Sequence, residues 1–333
     1  MVTEKENIDK TEFSAINFGK VSLWKKVANS QESGIFIALM ILGLIIGLIN
    51  PVFFKFANMM HILKTASYFF IPGIAITYVL VAAGLDLSIG SVLALGGVGS
   101  GLALLAGIPI IFSILVGVAV GMLAGFLNGF IITKFSIPPL ITTLGMMYLA
   151  RGFVEVLTKG TPVYPLPASF NIIGQGSIGG VPYVVIIAII LGIIGHIILT
   201  QTRFGRSVFA IGGNEETARL SGININKIKL IVYMLAGGAS ALSGVIISAR
   251  VAAAQANAGV GYELRIISAC IIGGTSMFGG KGSVLGSFIG AVFMAVVANG
   301  MILTKISVFY QNIIFGIIII LAVGLDQWKR LRS

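Results

Sequence analysis

Charge is the scarcest property of this 333-residue sequence: Asp, Glu, Lys and Arg make up 10% of it and hydrophobic residues 57%, against roughly 25% charged in an ordinary soluble domain. A water-soluble fold cannot hide that much apolar surface, so a soluble enzyme or binding domain is excluded. Cysteine is all but absent. The single Cys270 rules out an intrachain disulfide and a cysteine-built metal cluster, and in its apolar surroundings it reads as a small packing residue. Histidine is confined to His61 and His196, neither with a neighbouring carboxylate or thiol in sequence, so no metal site is expected. No Gly-x4-Gly-Lys-Ser/Thr order is present to cradle phosphates; the chain should bind no cofactor and hydrolyse no ATP itself.

Long hydrophobic runs stand in place of charge. Residues 65–133 hold one charged side chain, Asp86, and residues 161–202, 282–304 and 306–325 hold none. A bilayer span needs about 20 apolar residues. Gly, Pro and polar clusters divide the chain into ten such runs, near residues 35–50, 66–83, 88–107, 109–132, 138–157, 181–199, 228–249, 264–278, 283–303 and 307–325. The expectation is an all-α polytopic membrane protein with about ten transmembrane helices: a cytoplasmic tail at 1–32, a transmembrane domain at 33–326 and a cytoplasmic tail at 327–333. The first apolar run begins near Gly34 and no small-residue cleavage pattern follows it, so it reads as a retained span and not a removed signal peptide.

With the amino terminus in the cytoplasm, fifteen of the 22 Lys and Arg residues fall inside and seven outside. That meets the positive-inside rule, which the reverse orientation breaks, so both termini are expected in the cytoplasm. The net charge of +11 is spread along a membrane chain, so lipid and not nucleic acid is the expected surrounding. On the fourth run Gly117, Gly121, Gly125 and Gly129 share one helical face, smooth enough for another backbone of this chain or of a second subunit. Asn128, Gly129, Ile131, Thr133, Lys134 and Ser136 recur as Asn299, Gly300, Ile302, Thr304, Lys305 and Ser307. These fall on spans four and nine, which run in opposite directions, as an inverted five-plus-five repeat would place them.

One segment differs in kind. Residues 203–229, RFGRSVFAIGGNEETARLSGININKIK, are the longest charged stretch between spans and lie on the expected cytoplasmic side. Gly212 and Gly213 suggest a turn, Asn214 an N-cap, Glu215 and Glu216 the first turn of a short helix and Gly222 its end. Glu216, Thr217, Ala218, three residues and then Gly222 resemble a degenerate form of the loop by which importer permeases engage their ATPase. The wider string of Phe204, Gly205, Arg206, residues 210–215 and residues 218–224 resembles the ribose-type permeases of ATP-driven sugar importers, the binding-protein-dependent monosaccharide permease family. Residues 84–95 (GLDLSIGSVLAL), 137–152 (IPPLITTLGMMYLARG) and 258–282 (AGVGYELRIISACIIGGTSMFGGKG) are similar to it as well, and the likeness extends over residues 70–326.

The resemblance implies two permease subunits, alike or different, with a path at their interface. It also implies a cytoplasmic ATP-binding cassette subunit that holds ATP and Mg, and an extracytoplasmic sugar-binding protein. It assigns ATPase coupling to Gly205, Arg206, Asn214, Glu215, Glu216, Ala218, Arg219 and Gly222. Arg265 departs from the family, which usually carries an acidic residue there.

Other residues admit more than one reading. Asp86 is either a proton or substrate ligand, at about 2.5–3.5 kcal/mol for a mid-membrane carboxylate, or a cap at the positive start of the third span, which Leu87, Ser88 and the following helix favour. Arg151 and Glu155 stand four apart and read as a local ion pair. Arg250, Glu263 and Arg265 flank residues 255–262 on the outer side and are candidates for binding-protein docking or ordinary interface charges. A neutral sugar needs only sparse polar groups, for which Ser91, Asn128, Thr142 and Asn299 are candidate path-lining residues. An ion-coupled secondary carrier of small polar solutes is the alternative; a membrane enzyme would need carboxylates, His or Lys clustered at one face.

Overall fold

The computed structural model of the protein describes residues 31–332, so the tail expected at 1–32 lies almost wholly outside the described residues. In chain order the helices are α1 (Gln31–Ile49), α2 (Phe56–Val81), α3 (Ile89–Leu105), α4 (Ile110–Phe135), α5 (Pro139–Thr158), α6 (Ala168–Gln175), α7 (Tyr183–Gln201), α8 (Arg203–Gly213), α9 (Glu215–Leu220), α10 (Ile225–Val251), α11 (Tyr262–Ile272), α12 (Val284–Leu303) and α13 (Val308–Arg332). Local chemistry sets several boundaries. The side chains of Thr202, Asn224 and Ser283 accept from the N–H groups of Gly205 (3.1 Å), Lys227 (3.0 Å) and Gly286 (3.2 Å), capping α8, α10 and α12. Pro139 opens α5, where its missing N–H has no helical partner to lose. The charged tail expected at 327–333 instead continues α13 to Arg332.

Six helices, α2, α4, α5, α7, α10 and α12, are long and apolar enough to cross a bilayer, and shorter apolar stretches lie at 33–49, 89–105 and 309–321. The protein is all-α and polytopic; among the described residues six helices, not ten, have both the length and the apolar composition of a full span. The span expected at 264–278 is α11, with 11 residues. It rises only about 16 Å, half of a hydrocarbon core of about 30 Å.

The missing half is unwound chain. One end of the bundle, called here the loop face, carries α8 and α9; there α2 ends, with the Gly280 N–H donating to the Val81 carbonyl (2.9 Å). The far face carries the end of α10. Along α10, Tyr233 Oη donates to the Leu85 carbonyl (3.3 Å) near the loop face, and Gly244 abuts Leu93 while Ser248 abuts Gly97 toward the far face. Residues 82–88 thus climb without helix from the loop face, and α3 begins inside the bundle. Residues 252–261 make the opposite journey. Ala254 lies beside Gly101 and Gly259 against Gly90, a descent of about 16 Å along α3. From there α11 runs on toward the loop face, with Tyr262 against the ring of Phe69 midway along α2 (5.1 Å between centroids) and Cys270 against Gly73.

Two helices shorter than the bundle, α3 of 17 residues and α11 of 11, called half-helices below, therefore start inside it and point to opposite faces. The neighbours follow the same plan: α10 packs on α3 and α4 as α2 packs on α11 and α12, α3 meets α4 as α11 meets α12, and α5 meets α3 as α13 meets α11. This is the contact pattern of an inverted five-plus-five repeat, in line with the echo between Asn128 and Asn299. The glycine row of α4 is internal. A Cβ on Gly121 or Gly125 would collide with the Gly237 or Tyr233 carbonyl of α10, so these helices touch backbone to backbone and the row is not a face for a second subunit.

Candidate functional site

At the loop face two short helices stand where one was expected. Gly212 and Gly213 do not turn the chain but complete α8, and Gly212 must be glycine because a Cβ would collide with the Val81 carbonyl. The break comes one residue later. Asn214 is extended (φ −158°, ψ 112°), and its side-chain oxygen accepts from the Thr217 N–H (2.9 Å), starting α9. Gly222 follows with φ +81°, a left-handed conformation that closes the helix without a Cβ penalty.

The two sides of α9 differ. Ala218 is buried with Ile211 and Ile225, which fastens the helix to α8 and α10. Glu216, Arg219 and Leu220 point away; Leu220 is 84% exposed. Glu215 pairs with Lys229 of α10 (2.7 Å) and, more loosely, with Arg219 (3.9 Å). Gly205 is buried against the Leu199 carbonyl, and Arg206 is exposed. Between α9 and the turn from α4 to α5 lies an open cavity of about 620 Å³, bordered by Ser136, Pro138, Pro139, Glu215, Arg219 and Asn224. An exposed apolar tip beside a charged recess is suited to a complementary surface on another protein, and a rigidly tethered helix can pass on that protein's movement.

In the turn that leads into α3, Asp86 is 2% exposed. Its carboxylate accepts from the Ser88 N–H (2.8 Å) and the Ser88 hydroxyl (2.6 Å), and that hydroxyl in turn accepts from the Asn128 amide (3.0 Å). The geometry is that of a polar turn just ahead of α3: Asp86 bonds Ser88, the N-cap position, and no side chain caps the N–H groups of α3 itself. The four candidate path residues are all buried within this chain: Ser91 at 2%, Asn128 at 0%, Thr142 at 7% and Asn299 at 6% exposure. Ser91 and Asn128 belong to the region around the start of α3. Asn299 instead exchanges amide hydrogen bonds with Asn58 of α2 (2.8 and 3.1 Å), and Thr142 sits on α5 with its hydroxyl unpartnered.

Of the three residues expected to form one outer cluster, Arg250 ends α10 while Glu263 and Arg265 share the first turn of α11, and each faces a different partner. Arg250 lies over the ring of Tyr68 (5.2 Å). Arg265 lies over Phe315 of α13 (4.5 Å) and reaches Asn312 at 3.4 Å. Glu263 lies at the start of α11, its carboxylate beside Gly90. The expected ion pair of Arg151 with Glu155 is also not formed; Arg151 donates to the carbonyls of Ala256 and Ala258 in the unwound segment, the latter at 3.0 Å. The two hydrogens of a single guanidinium nitrogen, Nη1, serve both carbonyls, and this replaces a weak pair with a long-range tie. Beside it opens a cavity of about 700 Å³, bordered by Arg151, Glu155, Pro162, Gln255, Asn257 and Val260.

Sequence reasoning missed both the tie and the cavity. The one available signal was residues 252–261, AAAQANAGVG, where small residues and two glycines replace an apolar run. The comparisons with known proteins agree with the folded pattern. The family described as "Branched-chain amino acid transport system / permease component" matches residues 58–323. The ribose import permease protein of Bacillus subtilis (strain 168) is 38% identical over 301 residues, covering 90% of this chain and 94% of its own. The D-allose transport system permease protein of Escherichia coli (strain K12) is 34% identical over 299 residues, with 89% and 92% covered. The L-arabinose transport system permease protein of the same strain is 33% identical over 317 residues, with 95% and 94% covered. No solved structure gives a significant match. Matches of this extent, together with a multi-pass helical architecture, place the chain in this permease family, among the ribose-type ABC sugar permeases.

Proposed function

We propose that the chain is the translocating subunit of an ATP-driven importer that carries ribose or a similar monosaccharide across the bacterial inner membrane. In this reading a separate ATP-binding cassette subunit holds ATP and Mg and carries out hydrolysis, an extracytoplasmic binding protein delivers the sugar, and two permease subunits, most simply two copies of this chain, form the path. The loop face is cytoplasmic, as are both termini. The observation that carries the reading is the α8–α9 element: two capped helices outside the apolar bundle, fastened inward by Ala218 and the Glu215–Lys229 pair, with Glu216, Arg219 and Leu220 turned outward.

Mechanism follows from that placement. Closure of the ATPase on ATP moves α9; α9 is tied to α10 through Lys229, and α10 packs on α2, α3 and α4. Of the two half-helices, α3 packs directly on α10 and α11 packs on α2, which α10 also touches, so a shift of α10 changes their crossing and with it which face the path opens to. No proton needs to cross, since Asp86 is engaged in the turn before α3.

The test is import by vesicles containing the permease, its ATPase and its binding protein, with no ion gradient. ATP alone should drive uptake. Failure with ATP, together with uptake restored by an imposed proton gradient, would move the protein to the ion-coupled carriers.

A further inference from the structure

We propose that the far-face cavity beside α5 is an acceptor subsite for the sugar itself, where a neutral polyhydroxyl ring is held by this chain as it leaves the binding protein. The inference rests on the reading of the chain as a sugar permease. One wall of the cavity is α5, with Arg151 and Glu155; the other is the unwound segment, with Gln255, Asn257 and Val260, and Pro162 completes the rim. A volume of about 700 Å³ is within the range of small-molecule sites, enough for a monosaccharide with several waters.

The lining has the chemistry of a neutral, hydroxyl-rich ligand. A sugar hydroxyl both donates and accepts, and the amides of Gln255 and Asn257 offer both functions. Glu155 adds a strong acceptor. It stands one helical turn from Arg151, yet the Arg151 hydrogen bonds go to Ala256 and Ala258, and among the described residues Glu155 makes no ion pair within 4 Å. One Arg and one Glu leave the lining without net charge, which disfavours a phosphate or carboxylate ligand. Val260, 65% exposed, and Pro162 give apolar surface for the C–H face of a ring.

The same segment links the cavity to the centre of the bundle. Two residues beyond Asn257, Gly259 rests against Gly90 where the half-helices cross. A sugar that engages Gln255 and Asn257 therefore pulls on the element that closes the path below it. Arg151 acts through the segment it holds and is a positioning residue.

The experiment uses the complete transporter in vesicles with D-ribose as probe and D-allose and L-arabinose as comparators. Two quantities are read: ATP hydrolysis stimulated by the loaded binding protein, and sugar imported per ATP hydrolysed. Glu155→Gln with Asn257→Ala should leave stimulation within twofold of the parent, lower import per ATP at least fivefold and alter the preference among the three sugars. Gln255→Glu, a single change on the rim, should shift the same ratio if the double variant does not reach the membrane. Parental import per ATP in both variants overturns the subsite. So does weaker stimulation with import per ATP intact, which would make the cavity a docking recess for the binding protein. A parent that imports none of the three sugars instead overturns the sugar-permease reading on which the inference stands.

Discussion

Gly90 shows how much structure one residue can decide. Its Cα faces the Gly259 carbonyl and the Glu263 carboxylate, and Gly259 in return faces the Gly90 carbonyl, so neither position has room for a side chain. Overpacking a close-packed site typically costs about 1–3 kcal/mol. Gly90→Val should therefore lower the Tm of the detergent-solubilised protein by several degrees, while Gly145→Ala, which meets nothing within 4 Å, should leave it near the parent value. Equal melting of Gly90→Val and the parent would mean that the two half-helices do not cross there. Asp86 makes the same point in polar chemistry: the sequence left a ligand and a cap open, and the structure engages its carboxylate with Ser88, which Asn128 bonds in turn, in the turn ahead of α3.

Elements rather than residues carry coupling. The helix α9 has six residues and could not persist alone, since isolated helices shorter than about 12–15 residues are marginal in water; it is held by Asn214, Ala218 and the Glu215–Lys229 pair. That makes it sensitive at its end. Gly222 is at φ +81° with nothing within 4 Å of an added Cβ, so Gly222→Val strains the backbone by about 1–2 kcal/mol without a clash and the disturbance stays at the tip of α9. We expect Gly222→Val, and separately Glu216→Lys, to reach the membrane and bind the ATPase yet lose most sugar-stimulated ATP hydrolysis and uptake. Normal import by both variants would remove α9 from the coupling role.

At the scale of the whole molecule the faces matter. If the loop face is cytoplasmic, a membrane-impermeant thiol reagent applied to intact cells should label a cysteine placed at position 257 and spare one placed at position 216; native Cys270 is buried and gives little background. The reverse labelling would invert the topology and with it the assignment of partners. Arg250, exposed at the end of α10, then offers positive charge toward the binding protein. Arg250→Glu should slow capture of the loaded binding protein at low salt and much less at high salt, because screening shortens to about 10 Å at 0.1 M and complementary charge acts mainly on association. Arg265→Glu should matter less for capture, since Arg265 is stacked on Phe315. Equal association rates for the parent and Arg250→Glu at low salt would leave Arg250 without a docking role.

Sequence by itself determined the solvent of this protein, because 57% hydrophobic residues arranged in charge-free runs can be accommodated only by lipid. It also determined the family, through strings of residues around 84–95, 203–229 and 258–282, and the caps at Asn214 and Gly222, whose chemistry is local. Contacts distant in sequence decided the rest. A half-helix and a whole span have the same local composition, and only the meeting of Gly90 with Gly259 across the bundle distinguishes them. Arg151 and Glu155 have the spacing of an ion pair, but the pair lost to two carbonyls more than a hundred residues away. Helical periodicity records which face a residue lies on and not what the fold brings against that face, so the cavity beside α5 exists only in the tertiary structure.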